Sequence, residues 1–273
     1  MITSSLKCGI AALLVLHTSA MADNHIFFHG SPMVTVKSKG VFEAFELSEY
    51  SDEGTPHVKP EIKRAIRLLY APGDSAGTTV EGFSIDPGIG CIEPDRVLLV
   101  DSASTDGVLS TRPLPSPRYP GTQSANLTQL GRAMPALEKV LRTNKNLSKS
   151  DRTLLRANAV VSAAKLDSSG KASIIMEADV DVNRRKGLSM LVILTPGASG
   201  RLGVTYSDIR KGRASDSDGY AGSQSLIDHI DLDGDELDEI FISVRAYESA
   251  EIKVLTRQRQ GWTEVATGGA TGC

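Results

Sequence analysis

Asp231-Leu232-Asp233-Gly234-Asp235-Glu236-Leu237-Asp238-Glu239 runs directly into Ile240-Phe241-Ile242-Ser243-Val244. The second half reads as a strand and the first as the acidic loop that feeds it. Acidic side chains at the first, third, fifth and ninth positions of such a loop can aim their oxygens at one hard cation. Calcium takes six to eight oxygen ligands. Asp231, Asp233 and Asp235 supply the first three, the carbonyl of Leu237 a fourth, and Glu239 the last. Four carboxylates around a divalent ion leave a net charge of about −2, which favours calcium over monovalent ions, and an extracellular site needs a dissociation constant of only about 0.1 to 1 mM. The plain alternative is an Asp-Gly turn decorated with solvated carboxylates, because Asp and Gly are what turns use.

Outward from the loop the pattern is of strands and turns. Ile240 to Val244, Ile252 to Thr256 and Trp262 to Val265 suggest a three-stranded meander. Upstream, Gly212 to Ser225 is rich in Gly, Ser and Asp and reads as a loop ahead of the motif. Leu188 to Leu194 is a short buried strand and Ala172 to Val182 another, with Asp167-Ser168-Ser169-Gly170 a turn before it. Ala157 to Leu166 continues a helix or forms a strand. That helix starts at Ser148, where Asp151 completes a capping box. Before it, Leu127, Leu130, Met134, Leu137, Val140 and Leu141 recur at helical spacing, interrupted at Pro135.

Residues 111 to 124 hold Pro113, Pro115, Pro117 and Pro120 and read as a linker or a surface crossing. In the first half, Ile26 to Leu47 alternates in short runs, the mark of a small sheet. Pro60 to Tyr70 places Ile62, Ile66 and Leu69 on one helical face, with Pro60 in the first turn and Pro72-Gly73 as the stop. Val80 to Ile85 and Arg96 to Val100 read as strands around the Cys91 turn.

The spacing excludes an EF-hand, whose twelfth position would be Ile242 where a bidentate Glu is required. The stretch from Asp231-Leu232-Asp233-Gly234-Asp235 through Asp238-Glu239-Ile240 instead resembles the calcium loop of FG-GAP and VCBS-type repeats, the family of integrin α-subunit propeller blades. The likeness covers about 40 residues, in one good copy, and implies a calcium loop with a following hairpin rather than a propeller, which cannot close with fewer than three units. Two residues depart from the family pattern. Glu236 stands where Gly is usual, a position that often needs positive φ, and Glu239 replaces the final Asp. A fainter copy, Asp179-Val180-Asp181-Val182-Asn183, is followed by Arg184-Arg185-Lys186, whose charge repels a cation. No metal is assigned there.

Asp231 and Asp233 also resemble the Asp-x-Asp pair of haloacid-dehalogenase-like phosphatases, but Asp235 occupies the Thr/Val position and repels a phosphate. No G-x-S-x-G elbow or P-loop is present. His229 lies two residues before Asp231 and on an alternating strand shares its face, as a support behind the metal ligands or as a packed side chain. The other histidines past the leader are His25, His29 and His57.

Residues 1 to 22 read as a secretory signal, with Lys7 as the positive start, Cys8 to Leu16 as the apolar core and Ala20-Met21-Ala22 as the cleavage site. Cleavage after Ala22 creates Asp23-Asn24-His25, an amine, two amides and an imidazole able to wrap Cu(II) or Ni(II), with His29 axial; cleavage after Ala20 abolishes it. Past the signal only Cys91 and Cys273 remain, and an oxidising compartment pairs them or leaves them as separate thiols. A net charge of −3 gives no basic field for nucleic acid, and no mature segment is long and apolar enough to span a bilayer.

These features predict an α+β protein of small antiparallel sheets, a short helical insert and a C-terminal strand meander carrying the acidic loop. The expected division is a signal over 1–22, an N-terminal α+β region over 23–110, a proline-rich linker over 111–124, and a helical insert plus β-rich region over 125–273. The expected role is a secreted or periplasmic, calcium-stabilised module that binds a protein or envelope partner. The alternative is an extracytoplasmic metal-dependent hydrolase using the same loop. A buried cleft with Asp231, His229 and a second acid favours the hydrolase, and a loop at the rim of a sheet favours the binding module.

Overall fold

The computed structural model describes residues 23–29, 31–45, 48–50, 56–66, 68–80, 82–84, 96–98, 107–119, 121–183, 186–213, 222–245, 249–259 and 261–272. The first half contains β1 (Asn24–Phe28), β2 (Ser31–Ser38), β3 (Val41–Ala44), β4 (Ser48–Tyr50), β5 (Pro56–Val58), α1 (Pro60–Ala65), β6 (Leu68–Leu69), β7 (Thr78–Thr79), β8 (Gly82–Ser84), β9 (Arg96–Leu98) and β10 (Val108–Ser110). After the proline-rich stretch come β11 (Gln123–Ser124), α2 (Leu127–Thr143), α3 (Lys149–Ala157), β12 (Val160–Ala164), β13 (Ser173–Asn183), β14 (Lys186–Pro196) and β15 (Leu202–Arg213). The chain then continues through β16 (Ser223–Ile230), β17 (Glu239–Arg245), β18 (Ser249–Gln258) and β19 (Gly261–Gly272).

Three antiparallel sheets carry the fold. The N-terminal sheet has the order β10-β1-β2-β3, the middle of the chain builds β11-β12-β13-β14-β15, and the C-terminal meander is β16-β17-β18-β19. The protein is therefore largely β, with helices on the outside, within the expected α+β class. Among the described residues no helix is long and apolar enough to cross a membrane.

Side-chain alternation stacks these sheets. On β17, Ile240, Ile242 and Val244 face one way and join Ile175, Leu191 and Ile193 of the middle sheet, while Phe241 faces the other way among Ile26, Phe28 and Val34 of the N-terminal sheet. Consecutive apolar residues thus mark a strand buried on both faces. Phe28 and Phe241 stack across that second interface, their ring centroids 5.1 Å apart. The outer face of the middle sheet packs Ile174, Met176, Met190 and Val192 against Leu137, Leu141 and Leu155 of α2 and α3. At the other end Phe27 and Leu109 pack against Ile62 and Ile66 of α1. The order of layers is helices, middle sheet, C-terminal sheet, N-terminal sheet, helix.

Several elements differ from their expected extents. The helix from Pro60 ends at Ala65, because Leu68–Leu69 pairs with Thr78–Thr79; Ile62, Ile66 and Leu69 still share one core. Pro135 does not interrupt α2. It and Gly131, whose carbonyl its missing amide frees, are both exposed, so water can reach that carbonyl. Ser148 and Asp151 form the capping box that starts α3. Ala157 to Leu166 resolves into the end of α3 and β12. The 12-residue β15 had no counterpart in the sequence reading.

The proline-rich stretch crosses the C-terminal sheet. Leu114 is buried with Ile230 and Leu232, and its carbonyl accepts the Gly73 amide. The signal over 1–22, Cys91, Cys273 and most of the Gly212 to Ser225 loop lie outside the described residues.

Candidate metal centre

The acidic loop joins β16 to β17 at one rim of the C-terminal sheet, and its backbone is folded by its own carboxylates. Asp231 Oδ1 accepts from the amides of Gly234 and Asp235 at 2.7 and 3.1 Å, and its Oδ2 accepts from Glu236 at 3.1 Å. Asp233 Oδ1 accepts from Asp235, and Asp235 Oδ1 accepts from Leu237 at 2.7 Å. Aspartates at alternate positions thus wrap the chain around themselves, the local reason for their spacing. Gly234 and Glu236 both have positive φ, +76° and +72°. Glu236 therefore holds a left-handed conformation that glycine adopts at less cost.

Three carboxylates converge. One oxygen each from Asp231, Asp233 and Glu239 lies within 4.8 Å of the others. Asp231 and Glu239 are buried, at 4% and 0% exposure, and Asp233 is half-buried. Asp235 is not in the converging group, its Oδ1 being turned to the Leu237 amide. Leu237 pairs in a bridge with Asp167.

Glu239 stands at the start of β17, where its Oε2 accepts the Leu232 amide and its Oε1 accepts the Thr256 hydroxyl of β18. Burial pushes its carboxyl up to about 8, the nearby Asp233 and Asp235 charges adding to the rise and those two hydrogen bonds opposing it. Burial also raises Asp233, with the neighbouring aspartates contributing. Each oxygen of Asp233 and Glu239 accepts one bond and keeps a second lone pair, whereas both oxygens of Asp231 already accept two; a hard cation at the group would replace the proton on Glu239 and compete with the Arg118 contact to Asp231.

Parts of the fold distant in sequence converge on this loop. The Gly40 amide, in the β2–β3 turn, donates to Asp233 Oδ2. From the proline-rich stretch, Arg118 reaches Asp231 Oδ2 at 3.4 Å and the Glu236 carbonyl at 3.3 Å. From the middle sheet, Ser168 donates its amide to the Glu236 carbonyl, and the Leu166 carbonyl accepts the Asp238 amide.

His229 is a packed side chain behind the loop. Its Nδ1 lies 2.7 Å from Asp238 Oδ2 and its Nε2 3.2 Å from the Gly121 carbonyl. Burial lowers its pKa, but Asp238, the Gly121 carbonyl and the charge of Asp228 together outweigh burial and raise it. With an oxygen at each nitrogen, the ring donates to both in its protonated form. The Asp23-Asn24-His25 atoms serve the sheet: the His25 amide donates to Thr111, its Nδ1 meets Thr35 Oγ1 at 2.9 Å, and its ring stacks on Phe45.

Gly40, Arg118, Thr256 and Asp238 were not singled out by sequence, being distant from the motif or, for Asp238, inside it without an assigned part. An open groove of about 780 Å³ adjoins the loop, lined by Asp167, Leu237, Arg257, Gln258 and Arg259. No protein-family model matches the chain, and no curated protein or solved structure matches it.

Proposed function

We propose that this chain is a secreted or periplasmic binding or envelope-associated module that calcium stabilises through its acidic loop. The observation that carries the reading is the convergence of the Asp231, Asp233 and Glu239 carboxylates, two of them withdrawn from solvent. A solvated acidic turn has no reason to bury carboxylates beside one another, because desolvation and mutual repulsion both oppose it. The likeness to FG-GAP and VCBS-type loops points the same way; it implies the Leu237 carbonyl and Asp235 as further donors, and Asp235 would have to turn from the Leu237 amide to join the group. Export rests on the leader-like residues 1 to 22, and it places the loop where calcium is plentiful.

The rim position favours binding over hydrolysis, with the adjoining groove as the surface for a protein or envelope partner. A metal-dependent hydrolase needs a base near the loop, and His229 has both ring nitrogens engaged.

The test is thermal unfolding of residues 23–273 with calcium against excess chelator, alongside Asp233→Ala. Calcium at 100 times its dissociation constant adds about 2.7 kcal/mol, a shift of several degrees. A wild type that does not respond leaves only an acidic turn.

A further inference from the structure

We propose that the pocket between the first turns of α2 and the outer corner of the middle sheet binds a small organic carboxylate with an apolar body, the size of a medium-chain fatty acid. Gln129, Arg132 and Lys171 take the carboxylate, and Ile174, Pro196 and Leu202 take the chain. The site lies on the face of the middle sheet turned away from the C-terminal sheet, so it is separate from the acidic loop and does not depend on calcium.

The pocket follows from the sequence of α2. The buried residues Ala133, Leu137 and Leu141 form one row along the helix, each a turn from the next. One turn earlier the row reaches Gln129, a polar residue where the core calls for an apolar one, and Ala133 beside it is small. Gln129 turns its Oε1 back to accept the Asn126 amide in the capping box, at 2.8 Å. The apolar packing under α2 therefore stops short of the helix start. Opposite this gap, Ala172, Ile174 and Leu202 pack at the edge of the helix-facing core, and Leu202 is the cross-strand partner of Pro196. The cavity left between them is about 290 Å³, and Arg132, Lys171 and Gly200 complete its lining.

Its two sides differ in chemistry. The sheet side is apolar, and Ile174 in its floor is 1% exposed. The other side carries the exposed Arg132 and Lys171, and no carboxylate lines the pocket. Neither cation forms an ion pair among the described residues; Arg132 gives one Nη2 bond to the Gly200 carbonyl, which leaves most of its five N–H donors free, and the Lys171 ammonium keeps three. The first turn of α2 has no acidic residue, so the positive end of the helix adds to the two cations.

The ligand class follows from this division. An inorganic anion leaves the apolar floor uncovered, and a neutral or cationic amphiphile leaves Arg132 and Lys171 without a counter-charge. A carboxylate can take paired N–H bonds from the Arg132 fork, with Lys171 as a second charge. At about 30 Å³ for each water-sized group, the cavity holds roughly ten, which is a carboxylate on a chain of about eight carbons. Each methylene buried adds up to about fourfold in affinity.

The experiment is calorimetric titration of the protein in chelator with sodium octanoate, against sodium acetate and octanamide. The expected result is one site for octanoate and at least tenfold weaker binding of both acetate, which lacks the chain, and octanamide, which lacks the charge. Lys171→Gln is expected to lose at least threefold and Ala172→Leu, which fills the cavity, at least tenfold. The Lys171 side chain is exposed and without a partner among the described residues, so Lys171→Gln keeps the fold. Asp233→Ala is expected to bind octanoate as the wild type does. Absence of binding at millimolar octanoate, more than one equivalent bound, equal binding of acetate or octanamide, or binding unchanged in either pocket variant would overturn the proposal.

Discussion

The Gly40 amide donates to the Asp233 carboxylate at 2.5 Å, a bond between residues 193 positions apart in the chain. Asp233 thus ties the N-terminal sheet to the acidic loop and also belongs to the converging carboxylates. The two roles separate by substitution. Asp233→Asn keeps an acceptor for Gly40 and removes the charge, so it is expected to lose the calcium response with little change in chelator. Asp233→Ala loses both, and in chelator is expected to be less stable by roughly 1–2 kcal/mol. Denaturant titrations with and without calcium read the difference.

Glu239 sets a pH dependence in the metal-free protein. Its folded pKa, about 8, lies above the ordinary 4.5, so the folded state holds a proton that the unfolded state releases. Its contribution to stability is full below about 4.5 and is lost as pH rises to 8. His229, also raised in the folded state, acts in the same direction from its ordinary 6.5 upward. Wild type in chelator is expected to lose a few kcal/mol between pH 5 and 8. Glu239→Gln should flatten most of that slope, be more stable than wild type at pH 8, and show no calcium response. A wild-type profile flat over this range would refute the assignment.

Calcium uptake should be linked to proton release. Near pH 7 the metal-free Glu239 is protonated, and a cation at that carboxylate displaces about one proton. Titration calorimetry in two buffers of different ionisation enthalpy measures the count, which is expected to fall toward zero above pH 9.

Asp238→Asn leaves the buried His229 facing an amide in place of a carboxylate. Breaking a buried charged pair costs about 3–5 kcal/mol, and keeping a hydrogen-bond acceptor places the expected loss toward the lower end. His229→Gln should couple to it in a double-mutant cycle. Additive effects would show that the 2.7 Å contact contributes little.

Glu236→Gly should stabilise the protein. Glu236 has φ of +72° and an exposed side chain, and relieving the left-handed conformation is worth about 1 kcal/mol. The calcium dependence should be unchanged, as the contacts of Glu236 at this loop run through its backbone.

What the sequence made legible was local. The capping box at Ser148, the apolar run of β17 and the acidic spacing each depend on residues within one turn or one strand. The alternation in Ile240-Phe241-Ile242 even carried the information that both faces are buried, but not which sheets cover them. Asp231, Asp233 and Glu239 were named from spacing and do converge; Asp235, named on the same grounds, instead turns to the Leu237 amide. Burial of Glu239, the Gly40 and Arg118 contacts and the His229–Asp238 pair were not legible, since each needs elements brought together by the stacking of three sheets. β15 escaped notice because its charged residues obscure the alternation expected of a half-buried strand.

The acidic loop takes bonds from the β2–β3 turn, the proline-rich crossing and the turn before β13, so its tertiary contacts are complete only when all three sheets have docked. Such long-range contacts form late, because closing large chain loops precedes any gain from them. Interactions absent from the folding transition state act on the unfolding rate rather than on the folding rate. A cation at this loop would therefore act as a latch on the finished molecule, leaving the speed of assembly unchanged and prolonging the lifetime of the native state.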